Sequence, residues 1–145
     1  MESTKLIPDW TMVLLVEDNA GDAVLIRQIL GESPVPVKLV IARDGEQALQ
    51  MLEDPEFTPE VIILDLNLPK LSGHAVLERN QRKDIPVVVF SSSWNETEIH
   101  RALNLGAREY VQKPAEIDAF ADAVQGIISK WVARKTSGAS TASGA

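Results

Sequence analysis

Five charged or hydroxyl-bearing residues follow short apolar runs of the sequence, and their chemistry is complementary. They are Glu17, Asp18, Asp65, Ser91 and Lys113. Acidic groups that are brought close together repel one another, so a cluster of them usually exists to hold a cation. Oxygen ligands select a hard ion, and the sequence lacks the twelve-residue oxygen array of a calcium loop. We therefore expect a Mg²⁺ site.

Asp65 is the predicted nucleophile of this group. It follows four apolar residues and precedes Leu66-Asn67-Leu68-Pro69, so it should lie where a strand ends and where a phosphate can approach in line. A carboxylate in that position can attack phosphorus and form an aspartyl phosphate. Lys113 would supply a positive charge to the phosphate and Ser91 a hydroxyl hydrogen bond, and the metal ion would neutralise the remaining charge.

A doubly wound α/β fold would position these residues at one edge of a parallel sheet. The predicted strands are Met12–Val16, Val37–Ile41, Val61–Leu64, Pro86–Phe90 and Glu109–Gln112. The predicted helices are Ala20–Leu30, with its apolar residues Val24, Leu25, Ile29 and Leu30, then Gly45–Glu53, Gly73–Asn80, Asn95–Leu105, and a last helix carrying Ile117, Phe120, Val124, Ile128 and Trp131. Near-continuous apolar strands that alternate with helices favour a parallel sheet covered on both faces. Ligands of such sheets bind at the carboxyl ends of the strands, where strand order reverses.

Length and composition limit the remaining possibilities. The 145 residues suit one domain, predicted at 11–133, with an N-terminal extension at 1–10 and a disordered tail of Ser, Gly, Ala and Thr at 134–145. A net charge of -7 opposes nucleic-acid binding, which depends on basic residues. Without cysteine, thiolate chemistry and Cys-based metal sites are excluded. No apolar run is long enough to span a membrane and no signal peptide is evident, so a cytoplasmic protein is expected.

The set Glu17-Asp18, Asp65, Ser91 and Lys113-Pro114 resembles the site of two-component response-regulator receiver domains (CheY-like), over residues 11–132. The resemblance implies a flavodoxin-like sheet of five strands in the order 2-1-3-4-5 with five helices. It implies Asp65 as the phosphoacceptor, and Ser91 and Lys113 as phosphate-binding residues. It also implies Mg²⁺ held by Glu17, Asp18, Asp65 and the backbone carbonyl of Asn67. Tyr110 corresponds to the family's aromatic switch residue, whose ring moves when the hydroxyl turns toward the phosphate.

The stretches Leu15–Asp22 and Asp65–Pro69 are similar to single-domain regulators partnered with bacteriophytochrome-type histidine kinases. This similarity implies a sensor histidine kinase as phosphodonor. We expect a regulator that is not an enzyme and carries no attached output domain, and that acts on a downstream protein target through contacts. The predicted output or dimer face comprises the fourth helix, fifth strand and fifth helix, with Ile99, Leu103 and Tyr110 partly exposed.

The sequence departs from the family pattern at two positions and leaves several alternatives open. Glu17 stands where many receivers have Asp, and Ser91 where Thr is commoner. Ser91 begins a run of three serines, and its selection rests on the resemblance, while Tyr110 could equally be a packing aromatic. His74 and His100 are expected at the surface, and the family often has a cis bond before Pro114.

Two other classes of protein would use a similar sequence. A metal-dependent phosphatase also forms an aspartyl phosphate, but it normally has a second acid two residues after the nucleophile, where this chain has Asn67. A degenerate receiver would bind partners without accepting a phosphoryl group. The intact set of acid, hydroxyl and lysine favours the phosphorylated receiver over both.

Overall fold

Short runs rich in β-branched residues form the strands of a parallel sheet in the computed structural model, which describes residues 10–132. The strands are β1 (Thr11–Val16), β2 (Val37–Ala42), β3 (Val61–Leu64), β4 (Val87–Ser91) and β5 (Glu109–Gln112). The helices are α1 (Ala20–Gly31), α2 (Gly45–Glu53), α3 (Gly73–Arg79), α4 (Glu96–Asn104) and α5 (Ile117–Trp131). The predicted tail at 134–145 and all but the last residue of the predicted extension at 1–10 lie outside the described residues. Across 10–132, no helix has the length and hydropathy to cross a membrane.

The strand order β2-β1-β3-β4-β5 confirms the predicted doubly wound sheet. All neighbouring strands are parallel, and β1 pairs with both β2 and β3, so strand order reverses at β1. Every residue of β3 and β4 is buried, whereas the edge strands β2 and β5 are largely only half-buried. The predicted bounds are right to within about one residue, and the extension of β4 places Ser91 inside the strand.

Two hydrophobic cores cover the sheet, one on each face. Helices α1 and α5 pack on one face, around Ile26, Phe90 and Val124. Helices α2, α3 and α4 pack on the other face, around the side chains of Leu64 and Leu77. The predicted apolar stripe of α1 is wrong at its first member: Val24 is 58% exposed, and the neighbouring Ala23 and Ile26 are buried instead. The helix is rotated so that Ala23 and Ile26 lie in the core between α1 and the sheet.

A polar residue caps the start of four of the five helices that the structure describes. The side chains of Asn19, Asp44, Ser72 and Asn95 each accept a backbone N–H from the first turn of the following helix. Such caps satisfy donors that the helix itself cannot bond. They fix where each helix starts, so that the connections at the carboxyl edge of the sheet are short and defined.

Gly73 allows α3 to begin directly against the chain that leaves β3. A Cβ atom at this position would lie 2.6 Å from the carbonyl oxygen of Asp65 and 2.6 Å from Cα of Leu66. The Gly73 N–H also donates to the carbonyl of Leu66 at 3.0 Å. Because any larger residue would collide with backbone, this glycine helps to hold Asp65 in place.

Lys70 is the one non-glycine residue with positive φ in the part of the chain that the structure describes, at 68°. A side chain in this left-handed region costs about 1–2 kcal/mol. Lys70→Gly should therefore raise the free energy of unfolding by about 0.5–1 kcal/mol, the larger unfolded-state entropy of glycine offsetting part of the gain. Denaturant unfolding measures this effect.

Lys70→Ala is the matched control for that substitution. It removes the exposed ion pair from Lys70 to Asp44, in which the two charged atoms are 3.7 Å apart, but keeps the Cβ atom. Exposed pairs contribute little, so the alanine variant should match the wild type. A glycine variant no more stable than the alanine variant would show that the left-handed backbone is not strained.

Candidate functional site

Three candidate residues continue the hydrogen bonding of the sheet just beyond their strands. Each donates its backbone N–H to the neighbouring strand: Glu17 to Ala42 at 3.0 Å, Asp65 to Val16 at 3.0 Å and Lys113 to Ser91 at 2.8 Å. Their backbones are therefore as firmly placed as the strands themselves. They lie at the carboxyl ends of β1, β3 and β5, the edge where the sequence predicted a ligand site.

The ammonium group of Lys113 is the centre of the site. Its Nζ atom lies 2.7 Å from Oε1 of Glu17, 2.8 Å from Oδ2 of Asp22 and 3.0 Å from Oδ2 of Asp65. A lysine ammonium has three N–H donors, so all three are satisfied. The side chain is only 8% exposed, and Nζ lies 5.9 Å from the ring centre of Phe90. The predicted convergence of an acid on β1, the acid after β3 and the lysine after β5 is present.

Asp18 and Asn67, the other predicted metal ligands, lie beside this cluster. Asp18 is exposed, and its carbonyl accepts a hydrogen bond from Nη2 of Arg43 at 3.2 Å. The backbone N–H of Asn67 donates to Oδ1 of Asp65 at 3.1 Å, which brings the Asn67 peptide against the phosphoacceptor candidate. Among residues 10–132, no three Asp, Glu or His side chains converge closely enough to hold a metal ion by themselves. The carboxylates of Glu17 and Asp65 are directed toward Lys113.

Burial and neighbouring charges together raise the pKa of both Glu17 and Lys113. Burial raises the pKa of Glu17 to about 7; the hydrogen bond from Lys113 opposes this shift and the charge of Asp65 adds to it. Burial alone would lower the pKa of Lys113, but hydrogen bonds to Asp22 and Glu17 and the charge of Asp65 raise it above its ordinary value. The lysine therefore stays protonated, and the carboxylates carry more negative charge than it can balance.

The raised pKa of Glu17 predicts a stability that falls with increasing pH when divalent ions are chelated. The group binds its proton more tightly in the folded protein, about 7 against an ordinary 4.5, so its stabilising contribution is complete below 4.5 and is lost as pH rises through 7. Relative to Glu17→Gln, which cannot titrate, the wild type should lose on the order of 3 kcal/mol of unfolding free energy between about pH 5 and pH 8.

Denaturant unfolding of both proteins at several pH values, in chelator, tests this expectation. Glu46→Gln, which changes an exposed glutamate of α2, is the matched control and should keep the wild-type pH dependence. If the stability difference between wild type and Glu17→Gln were the same at both ends of the pH range, the raised pKa would be wrong.

Ser91 and Tyr110 lie on neighbouring strands next to the cluster. Ser91 is 0% exposed, and its Oγ atom has no hydrogen-bond partner among the described residues. An unsatisfied buried hydroxyl is costly, so this group is suited to an acceptor brought in by a ligand. The Tyr110 hydroxyl donates to the carbonyl of Ser93, and burial raises the pKa of Tyr110. The Ser93 hydroxyl donates to the Glu98 carboxylate at 2.5 Å, which links Tyr110 to α4.

The predicted output face is partly open to solvent. Leu103 is 40% exposed, and Ile99 and Tyr110 are each half-buried. Two side chains of α4 and one of β5 therefore present some of their surface to solvent. The role of this face in output or dimerisation stays a prediction.

Two expectations about residues near this face are wrong. His74 is buried rather than at the surface, because α3 packs beside α4 and the Nε2 atom of His74 lies 3.1 Å from the carbonyl oxygen of Glu98. His100 is exposed, as predicted. The bond before Pro114 is trans, as are all peptide bonds of the described chain.

Asp22 is the site residue that the sequence reasoning missed. It lies in the first turn of α1, four residues after Asp18, and not directly at a strand end. Acidic residues are common in the first turn of a helix because they interact favourably with the helix dipole, so an Asp at this position did not indicate a site residue. The available signal was its position at the same edge of the sheet as Glu17 and Lys113.

Comparison with known proteins places this site in a family. The family model described as "Response regulator receiver domain" matches residues 13–125. Response regulator Rcp1 of Synechocystis sp. is 38% identical over 130 residues, covering 83% of this chain and 88% of that protein. The crystal structure of its Mn²⁺-bound form has a TM-score of 0.77 at 37% identity and covers 84% of this chain and 94% of that one.

Two further solved structures are similar. The phosphorylated cyanobacterial phytochrome response regulator RcpA has a TM-score of 0.79 at 38% identity, covering 86% of this chain and 95% of that one. The bacteriophytochrome response regulator AtBRR has a TM-score of 0.63 at 37% identity, covering 81% and 92%. Both the sequence and the fold of this chain are therefore similar to those of response regulators.

Proposed function

The chain belongs to the response regulator receiver family of two-component signalling, and from that premise we propose that it accepts a phosphoryl group on the carboxylate of Asp65. The observation that carries this assignment is the meeting of Asp65, Glu17 and Lys113 at one point, with the buried hydroxyl of Ser91 on the strand between β3 and β5. A nucleophile, a fixed cation and an unsatisfied donor are the groups that phosphoryl transfer to a carboxylate needs.

The transfer itself is a displacement at phosphorus. An oxygen of Asp65 forms the new O–P bond while the bond from phosphorus to the donor breaks, and the electron pair leaves with the donor nitrogen or oxygen. Lys113 is protonated and lies 3.0 Å from Oδ2 of Asp65, so its ammonium can follow the negative charge onto the phosphoryl oxygens. Ser91 turns its hydroxyl to the same oxygens and gains the acceptor that it lacks.

A divalent cation, expected to be Mg²⁺, would complete this site. The chemistry of the donor set fits one, because three carboxylates face the single ammonium of Lys113 and the charge of Asp65 already helps to raise the pKa of Glu17. Glu17, Asp18, Asp65 and the carbonyl of Asn67 would hold the ion. When bound, it would supply positive charge to the phosphoryl oxygens.

The partner that we propose is a histidine kinase of the phytochrome type. The support is the likeness to RcpA and AtBRR, which are response regulators of a phytochrome and of a bacteriophytochrome. Output would pass from Ser91 through Tyr110 and its hydrogen bond to Ser93, and so to α4 and the surface of Ile99 and Leu103. A downstream protein or a second copy of the chain would bind that surface.

Intact-mass measurement after incubation with acetyl phosphate tests the assignment. We expect one phosphoryl adduct that forms with Mg²⁺ or Mn²⁺, is absent with chelator, and is released by hydroxylamine, which cleaves acyl phosphates but not phosphate esters. A phytochrome-type kinase labelled on its histidine should transfer the group faster than an unrelated sensor kinase. Failure of the wild type to form any adduct would favour a degenerate receiver that only binds partners.

The phosphatase alternative is weaker on the same geometry. Such an enzyme normally uses a second acid two residues after its nucleophile, and the residue there is Asn67, whose backbone N–H is bonded to Asp65. An amide side chain cannot donate a proton to a leaving group in the way a carboxylic acid does. We therefore propose a regulator rather than a phosphatase.

A further inference from the structure

Lys113 is held by a third carboxylate in addition to the two that come from the strand ends. Asp22 Oδ2 lies 2.8 Å from Nζ of Lys113, nearly as close as Glu17 at 2.7 Å and closer than Asp65 at 3.0 Å. The Asp22 side chain is 30% exposed, whereas that of Glu17 is 2% exposed. One of the three acceptors of the ammonium therefore comes from a helix at the rim of the site.

The backbone of Asp22 is fixed before its side chain reaches the lysine. Its N–H donates to Oδ1 of the cap residue Asn19 at 2.9 Å, and the next N–H, of Ala23, donates to the carbonyl of Asn19 at 3.0 Å. Asp22 thus extends from an ordered first turn of α1. Its carboxylate is a defined anchor and not a mobile surface acid.

We propose that Asp22 is a positioning residue that holds the ammonium of Lys113 toward Asp65 during phosphoryl transfer. This inference rests on the proposed function. Lysine is a flexible four-carbon side chain, and its charge acts at one point only if several acceptors hold it. Glu17 and Asp65 are also proposed metal ligands, and Asp65 receives the phosphoryl group. Asp22 is the one acceptor of the three that has no second task.

The contact between Lys113 and Asp22 matters most when the phosphoryl group is attached and the charge on Asp65 changes. When the phosphoryl group is attached, the Lys113 donor that faced Asp65 is released to a phosphoryl oxygen, while its bond to Asp22 can remain. The ammonium then reorients while it stays hydrogen-bonded to Asp22, and it remains in the site. Without Asp22, one N–H of a largely buried ammonium lacks its acceptor and the lysine has more orientations available.

Asp22→Asn replaces the charged acceptor of Lys113 with a neutral amide oxygen that holds the ammonium more weakly, and so tests this role with Asp118→Asn as the matched control. Asp118 is an exposed acid in the first turn of α5, so its substitution removes the same charge from the same kind of helix position. Phosphorylation by acetyl phosphate with Mg²⁺ should be about tenfold slower in Asp22→Asn and unchanged in Asp118→Asn. Asp22→Glu should recover part of the rate.

A second readout follows Lys113 directly. Nitrogen NMR should detect a slowly exchanging ammonium signal from Lys113 in the wild type and in Asp118→Asn, and a faster-exchanging one in Asp22→Asn. A folded Asp22→Asn protein with the wild-type rate and the wild-type signal would overturn the role of Asp22 alone. A wild type that takes no phosphoryl group would instead overturn the proposed function, and the role of Asp22 in transfer with it.

Discussion

Asp65→Asn is expected to form no phosphoryl adduct with acetyl phosphate and Mg²⁺ under conditions that modify most of the wild type. The amide that replaces the carboxylate is uncharged and is not a nucleophile at neutral pH, although it has nearly the same shape. The loss should be at least about a thousandfold in rate, because the reacting atom itself is changed. Intact mass measured over time gives both rates.

Folding should not be the reason for that loss. Asp65 contributes negative charge that raises the pKa of Glu17, so its removal relieves repulsion in the cluster. The Asn variant should be at least as stable as the wild type in denaturant unfolding. Asp84→Asn is the control, since it alters an exposed acid paired with Arg82 and should leave adduct formation unchanged. An Asp65→Asn protein that still gained the adduct would move the acceptor to another residue.

Lys113→Met should destabilise the protein by about 3 kcal/mol at neutral pH in chelator, because three carboxylates then lose their shared cation. Methionine keeps an unbranched, flexible stem of nearly the same shape and lacks only the terminal nitrogen, so packing is largely preserved. The repulsion that remains is the cause of the loss. Phosphorylation should also become much slower, since no ammonium follows the charge onto the phosphoryl oxygens.

Added Mg²⁺ provides the sharper comparison for this variant. A cation that occupies the carboxylate cluster should restore stability to Lys113→Met by more than it stabilises the wild type, where Lys113 already compensates part of the charge. Lys130→Met, which removes a 58% exposed lysine paired with Glu109, should cost less than about 1 kcal/mol and show no such rescue. Equal effects of Mg²⁺ on all three proteins would contradict the electrostatic account of the cluster.

The strands could be predicted from the sequence because their apolar runs have the length and residue types of buried parallel strands, and the resemblance to receiver domains implied their order. Runs such as Val61–Leu64 have no competing interpretation at this chain length, and the residues that follow them necessarily reach one edge. The meeting of Glu17, Asp65 and Lys113 therefore followed from strand ends alone. The observed ends of the strands and helices differ from the predicted ends by about one residue, and Ser91 therefore lies within β4.

The remaining details depend on how helices pack, which local pattern does not determine. Asp22 contacts Lys113 because α1 starts after a connection of only three residues from the end of β1 and turns its first acid toward β5. His74 can be buried because a carbonyl of the neighbouring helix accepts a hydrogen bond from its ring N–H. Val24 is exposed because α1 is rotated so that Ala23 and Ile26 face the core instead. Each of these contacts joins residues that are distant in sequence or belong to different elements.

Chemical mapping of the phosphorylated carboxylate tests the central claim most directly. Borohydride reduces an acyl phosphate to an alcohol, so wild-type protein phosphorylated with Mg²⁺ and acetyl phosphate, then reduced and digested, carries homoserine at a phosphorylated Asp and the one-carbon-longer amino alcohol acid at a phosphorylated Glu. The account predicts homoserine at position 65, and at no other acid of the cluster. Homoserine at position 18 or 22, or an adduct that borohydride leaves unreduced, would contradict the assignment of Asp65 as the phosphoacceptor.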